Sequence, residues 1–396
     1  MNKLVTSKKT LCQTFLVLIL LELFLMGSGR MITLGPLTAR MILFLFALVF
    51  SIYDYNKIEN NAVYLVIIFV NVLFLAALVG LHNGSELDNV LLDIKPLLYL
   101  LMVIPFSILI KTKSDIFLIQ KVIKLSGFFM AFCLLVTSAA IFFGYLDFLS
   151  VVVALSRDDG VDNDFMFGSL DGFRIFYKGF LYLNIAFIFY VFGENKYDSR
   201  RAILLLIAIF MTLTRGFLLG LIMAFSTIFL LEIKKKRSII IIVSIILSIL
   251  IFLPYYISFV GDRDSSNLYR YEQITQVFDA VTPMSVMIGH GFGIGVPVRP
   301  NAMEITFLEV FHKQGMLGLL FWFGLFGNMV FTYSKILGAN NKKIATPFLI
   351  STFFVYFQSL TNPYLNNPIG MTMVLLTFVV LMVLSREERI LATYKQ

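Results

Sequence analysis

The chain has 396 residues, 59% of them hydrophobic and 42 of them Phe, with a mean hydropathy of +0.88. Apolar runs near 20 residues recur from end to end, which excludes a water-soluble fold and calls for helices that cross a bilayer. A formal charge of +8 with pI near 9.3 does not bring in nucleic acid, because the basic residues flank apolar runs rather than form a stripe with interleaved aromatics.

Twelve spans are predicted, at 11–26, 37–54, 62–80, 90–110, 121–145, 172–192, 201–213, 214–231, 237–258, 315–336, 345–360 and 367–385. Lys and Arg test this division independently, since they collect in short cytoplasmic loops. With a cytoplasmic N-terminus that face receives 21 of the 32, and the outer face receives 11 despite holding the two longest loops. Both termini are then cytoplasmic. The expected fold is a single all-α integral-membrane domain over 1–396, polytopic with about 12 transmembrane helices, with a shorter outer loop at 146–171 and a large one at 259–314.

The first apolar run follows Lys8-Lys9 but shows no small-residue cleavage pattern before Gly27, so it reads as a retained helix. Cys12 and Cys133 lie inside predicted spans, which supports neither a disulfide framework nor a thiolate metal site. The first five spans read as scaffold apart from Glu22 and the pair Arg30 and Arg40. In the 146–171 loop, DDGVDND lacks the alternating acids, placed glycine and closing glutamate of a calcium loop. It reads as a solvated acidic loop, with a divalent ion or a sugar rim as alternatives.

The stretch 201–231 is too long for one span and is divided at Thr212-Leu213-Thr214-Arg215-Gly216. Basic flanks at both ends make it a hairpin whose turn places Arg215 near the outer surface. Such an arginine either snorkels or faces a polar cavity, where Gly216 permits close approach of a ligand.

The 259–314 loop opens on Gly261-Asp262-Arg263-Asp264-Ser265-Ser266, where Asp264, Ser265 or Ser266 is placed to cap a helix over 267–280. Leu268, Ile274, Val277 and Phe278 give that helix an imperfect apolar face, expected to rest on the outer bilayer surface, with Arg270 near its middle. The run GHGFGIG at 289–295 is either a flexible turn or a nest of backbone N–H groups lining an anionic or glycan site. A further helix is expected over 302–314, ended or bent at Gly315. In it Glu304 and Leu308 share a face, and His312 falls roughly on the Glu304 side.

Nucleotides do not reach an outer-face site, whereas phosphate-linked lipids arrive through the membrane. Guanidinium forks suit phosphate, and Arg215, Arg263, Arg270 and Arg299 are the available set. A sugar on polyprenyl pyrophosphate already carries its leaving group, so transfer needs that group stabilised and an acceptor hydroxyl deprotonated. Glu304 is the candidate base, against the reading of a surface or helix-capping acid. No cofactor and no metal is called for.

The chain resembles the O-antigen polymerase and ligase superfamily. The resemblance rests on Thr214-Arg215-Gly216 with Gly220, the glycines from Gly289 to Gly295, and Phe307-Leu308-Glu309 followed by Gly315-Met316-Leu317-Gly318-Leu319. It implies a GT-C-like inverting glycosyltransferase of the bacterial inner membrane with a periplasmic active site. Its substrates are oligosaccharides linked to undecaprenyl pyrophosphate, and a chain-length regulator and a flippase are implied partners. Many members place a His-Asn pair where this chain has Glu304 and Ile305, which turns the resemblance from ligase toward polymerase and leaves Glu304 or His312 to activate the acceptor. Arg215 resembles the arginine that holds the donor pyrophosphate. Arg263, Arg270, His290, Arg299, Asn301 and Glu309 are the further candidates for phosphate or glycan contact. A ligase acting on lipid A–core is the alternative, and a lipid-linked glycan transporter the second.

Overall fold

The computed structural model describes residues 2–27, 29, 31–34, 37–155, 164–168, 174–231 and 264–393. The predicted span 237–258, Arg30, Arg157, Arg263 and the acidic run 158–164 except Asp164 lie outside them.

In chain order the helices are α1 (Asn2–Leu25), α2 (Ala39–Tyr53), α3 (Asn60–His82), α4 (Leu87–Leu97), α5 (Val103–Leu109), α6 (Lys113–Phe142), α7 (Phe148–Leu155), α8 (Leu181–Val191), α9 (Asp198–Met211), α10 (Arg215–Leu231), α11 (Asp264–Asp279), α12 (Pro283–Ile288), α13 (Thr306–Ser334), α14 (Ala339–Gln358) and α15 (Pro368–Thr393). Two short antiparallel hairpins interrupt them, β1 (Thr33–Leu34) with β2 (Leu37–Thr38), and β3 (Phe165–Gly168) with β4 (Arg174–Tyr177). Five helical segments are long and apolar enough to cross a membrane, namely Asn60–His82, Leu87–Leu109, Lys113–Phe142, Thr306–Ser334 and Pro368–Ile390. The protein is an all-α, multi-pass membrane protein.

Each predicted span within the described residues meets a helix, though 37–54 begins on strand β2, 90–110 passes through a 3-10 segment at Leu98–Met102, and 172–192 is amended further. The start of 172–192 is strand β4 and a 3-10 turn at Lys178–Phe180, and the helix begins only at Leu181. The reason is the pairing of Arg174–Tyr177 with Phe165–Gly168, in register Phe165↔Tyr177. Aromatic residues favour such a pleated surface, and Phe165 and Tyr177 stack with centroids 4.7 Å apart.

The chain forms two compact units, Met1–Leu43 with Lys113–Asp262, and Phe44–Thr112 with Arg263–Gln396. In the first, α6 and α8 pack together and against α9, and α1 lies on α6. Glu22 and Arg40, isolated charges in apolar sequence, form a buried ion pair at 3.0 Å, and Arg40 Nη2 also donates to Gly27 O at 2.8 Å. Pairing is what makes such burial tolerable. In the second unit α3, α13 and α14 meet around Phe69, Trp322 and Tyr356. The Phe69 and Trp322 rings are 6.1 Å apart, and the Tyr356 hydroxyl donates to Trp322 O at 2.8 Å.

Candidate active site

The polar segment before Gly315 lies in the second unit and is built on α11. One face of that helix, Arg270, Gln273 and Val277, turns inward, with Gln273 and Val277 fully buried. Val277 forms a small core with Val296 and Met303, against which Val298, Leu308 and Phe311 pack. Gln276 Oε1 accepts from Val298 N at 2.9 Å, and Gln273 Oε1 accepts from Glu304 N at 3.1 Å. Between these points Val296-Pro297-Val298-Arg299 closes a turn in which Arg299 N donates to Val296 O at 2.8 Å, with Pro in the second position, where its fixed φ suits a turn.

The opposite face of α11 carries Leu268, Tyr271, Ile274 and Phe278, all exposed. The helix therefore starts three residues earlier than the predicted 267–280, and Val277 belongs to its buried side rather than to the outward apolar face.

This shelf brings three predicted residues together. Glu304 Oε1 accepts from Arg299 Nη2, and Arg270 Nε lies 3.2 Å from Glu304 Oε2. Both carboxylate oxygens are thus engaged by guanidinium groups at a partly exposed position. Glu304 stands in a loop rather than a helix, because α13 starts at Thr306 with extended Ile305 before it. The expected sharing of a helical face among Glu304, Leu308 and His312 is corrected accordingly. Thr306 sets that start, its N donating to Ser359 O at 3.1 Å and its hydroxyl to Asn362 O at 2.9 Å.

Beneath the shelf lies a buried ionic network. Lys313, 2% exposed, donates from Nζ to Asp93 Oδ1 at 2.8 Å, Glu309 Oε1 at 2.8 Å and Asn301 O at 2.6 Å. An ammonium has three protons, and here each has an acceptor. Glu309 Oε2 accepts from Asn366 Nδ2 at 2.8 Å, and Asp93 Oδ2 accepts from Gly293 N at 2.7 Å. Glu309 and the Asn301 carbonyl are therefore partners of Lys313, while the Asn301 residue itself is exposed. Sequence reading passed over Lys313, Asp93 and Asn366. The available signals were the i,i+4 spacing of Glu309 and Lys313 and the presence of an aspartate in a predicted span.

The glycine run closes onto the same helix. Gly315 has φ 64° and ψ −157°, which breaks the α13 ladder and releases carbonyls before it. His290 N donates to His312 O at 2.7 Å, Gly291 N to Lys313 O at 3.1 Å, and Phe292 N to Ala76 O at 3.0 Å. The N–H groups that an anion nest would present are used inside the protein, which corrects the nest reading. Gly291, at φ 90°, also passes so close to α3 that a Cβ there would stand 2.0 Å from Gly80 N.

His290 and His312 stack with ring centroids 4.5 Å apart, and His290 Nε2 lies 2.9 Å from Ala280 O. His290 Nδ1 lies 3.3 Å from His312 O, so both of its ring nitrogens face carbonyl acceptors. His312 is buried at 2% exposure. His290 also forms one wall of a hollow of about 520 Å³ between the end of α3 and α12, beside Leu78, His82 and Met284.

Arg215 belongs to the first unit. The break between α9 and α10 falls at Thr212–Thr214 as expected, and Arg215 is the first residue of α10. Leu213 adopts φ 48° in that turn, a conformation seldom taken by a non-glycine residue. Arg174 Nε approaches Thr212 O at 3.4 Å, and Phe176 packs on Phe217 of α10 at 5.9 Å, so the β3–β4 hairpin braces the turn that presents Arg215.

Residues 202–323 match the Wzy_C family model, described as O-antigen ligase. The chain is also similar to an O-antigen polymerase of Shigella flexneri, 28% identical over 368 residues that take in 90% of this chain and 91% of that protein. Both similarities are to O-antigen polymerases and ligases. The matched stretch runs from α9 into α13, so it takes in Arg215 and the shelf with Arg270, Arg299, Glu304 and His312. These similarities support a general role in O-antigen-type polysaccharide biosynthesis.

Proposed function

We propose that this protein is a surface-polysaccharide polymerase of the O-antigen type. It transfers the growing glycan from undecaprenyl pyrophosphate to the non-reducing-end sugar of a repeat unit on a second undecaprenyl pyrophosphate, at the periplasmic face of the inner membrane. The observation that carries this reading is Glu304 held between Arg270 and Arg299 where the resemblance expects a His-Asn pair. Similarity to an O-antigen polymerase along nearly the whole of both chains supports it.

In the resting arrangement Glu304 is occupied by its two arginines. A pyrophosphate is the more highly charged partner for a guanidinium, so a bound donor draws Arg270 and Arg299 onto its phosphate oxygens and frees the carboxylate. The acceptor oxygen then attacks the anomeric carbon while Glu304 takes its proton. The bond to the pyrophosphate breaks, and its electron pair leaves with a group whose charge is held by the two shelf arginines. One displacement inverts the anomeric centre. His312, buried beneath His290, supports the shelf in this scheme, and the exposed face of α11 rests on the outer bilayer surface.

Glu304→Gln is expected to lower glycan transfer in purified membranes by about a hundredfold or more, within the range general bases contribute. An unchanged rate in membranes holding normal amounts of the variant would end the base assignment. The second reading is the ligase, favoured by the description of the family model that covers 202–323. Glycan length separates them. Loss of a polymerase leaves a surface glycan of one repeat, and loss of a ligase leaves no attached chain and accumulates lipid-linked polymer.

A further inference from the structure

A second cavity of the Phe44–Thr112 and Arg263–Gln396 unit stands at the other end of its helices. It is a cleft of about 590 Å³ between the start of α3 and the ends of α13 and α15. From Gly315 to its end α13 rises on the order of 30 Å, so the far end of the cleft, at Lys335, is a full helix length from Gly315. Its walls are Tyr64 and Ile68 from α3, Leu320 and Phe331 from α13, and Val379 from α15; the first four are more than half exposed, which opens the cleft sideways toward lipid. Gly324 lies on its floor, and a Cβ built there meets nothing within 4 Å.

The mouth is polar and carries more cations than anions. Arg386 is committed to Glu59, which Lys111 Nζ also contacts at 3.0 Å. Glu388 accepts from Asn341 Nδ2 at 2.7 Å and from Gly338 N at 3.2 Å. Lys335 and Arg389 complete the rim, with Lys335 Nζ held 3.9 Å from the Phe331 ring centroid, and Asn61, Asn328 and Thr332 line the cleft just below.

We propose that this cleft binds one anionic glycerophospholipid from the cytoplasmic leaflet, with an acyl chain over Gly324 and the headgroup phosphate between Lys335 and Arg389. An apolar trough open to the bilayer and ending in cations matches that amphiphile in both chemistry and direction. The site is separate from the outer-face chemistry and stands whether or not the polymerase reading does.

The test uses full-length protein purified in detergent, with phosphatidylglycerol or phosphatidylcholine added as mixed micelles. Native mass spectrometry counts retained lipid, and thermal melting reads the effect. Wild type is expected to retain one phosphatidylglycerol and to melt higher with it than with phosphatidylcholine. Gly324→Trp, built into open space, fills the cleft and loses the retained lipid. Lys335→Glu with Arg389→Glu keeps the fold and loses the preference for phosphatidylglycerol. Equal shifts with both lipids in wild type, wild-type retention in Gly324→Trp, or the full shift from glycerol phosphate alone would each overturn the proposal, the last by pointing to a soluble phosphate site.

Discussion

Lys313 is buried and fully paired, and its pairing fixes the roles of several neighbours. Removing one member of a buried charge pair leaves the other uncompensated, a change that costs about 3–5 kcal/mol. Lys313→Met is therefore expected to lower the melting temperature of the purified protein and its accumulation in membranes, because Asp93 and Glu309 lose their cation together. Lys313→Arg restores little, since a planar fork does not reproduce three acceptors set for one ammonium. Melting unchanged by Lys313→Met would show that the network contributes nothing to stability. Arg215 makes the opposite kind of prediction. Arg215→Ala is expected to accumulate normally and to make almost no polymer, with little rescue by Arg215→Lys if the guanidinium fork holds the pyrophosphate. Polymer at wild-type levels in either variant would remove Arg215 from the site.

At the scale of elements, the decisive feature is the kink in α13. Gly315 combines φ 64° with ψ −157°, a region only glycine occupies readily, and a Cβ there would stand 2.5 Å from the Met287 carbonyl carbon. Gly315→Ala is expected to lower melting sharply, because neither the backbone nor the neighbour has room to give. Gly324→Ala, on the same helix with open space around it, is expected to raise melting slightly, by up to about 1 kcal/mol of helix preference. Equal effects of the two substitutions would contradict the contrast. The bend was legible in the sequence as a glycine ending an apolar pattern. That the His312 and Lys313 carbonyls it releases are taken by His290 and Gly291 was not legible, because local patterning says nothing about which distant backbone donors arrive. The same limit applied to GHGFGIG, whose glycines announced tight turns without telling whether the N–H groups faced a ligand or the protein. For α11 the periodicity found a helix, but the apolar residues proved to lie on two faces, one against Val296 and Met303 and one outward. Leu268→Glu, on the outward face, is expected to weaken polymer formation in membranes while leaving the buried shelf intact, whereas Val277→Glu disrupts the shelf and lowers melting. Full activity of Leu268→Glu would count against contact between that face and the bilayer.

At the scale of the whole molecule, most of the architecture followed from the amino-acid sequence. Apolar runs of membrane length identify themselves, and basic flanks divide 201–231 where α9 and α10 part. What hydropathy could not resolve was the stretch 172–180, where apolar aromatic residues serve a hairpin as well as a span. It also could not pair Asp93 with Lys313 across 220 positions of chain. The site was legible as a set of residue types before Gly315, and among them Arg270, Arg299 and Glu304 do converge. The most direct measurement supplies the purified protein with defined undecaprenyl-pyrophosphate repeat units and resolves the products by length. A ladder of lengthening glycans, lost in Arg215→Ala and in Glu304→Gln, is the predicted result. No lengthening by wild type, with preformed polymer passed instead to a lipid A–core acceptor, would contradict it.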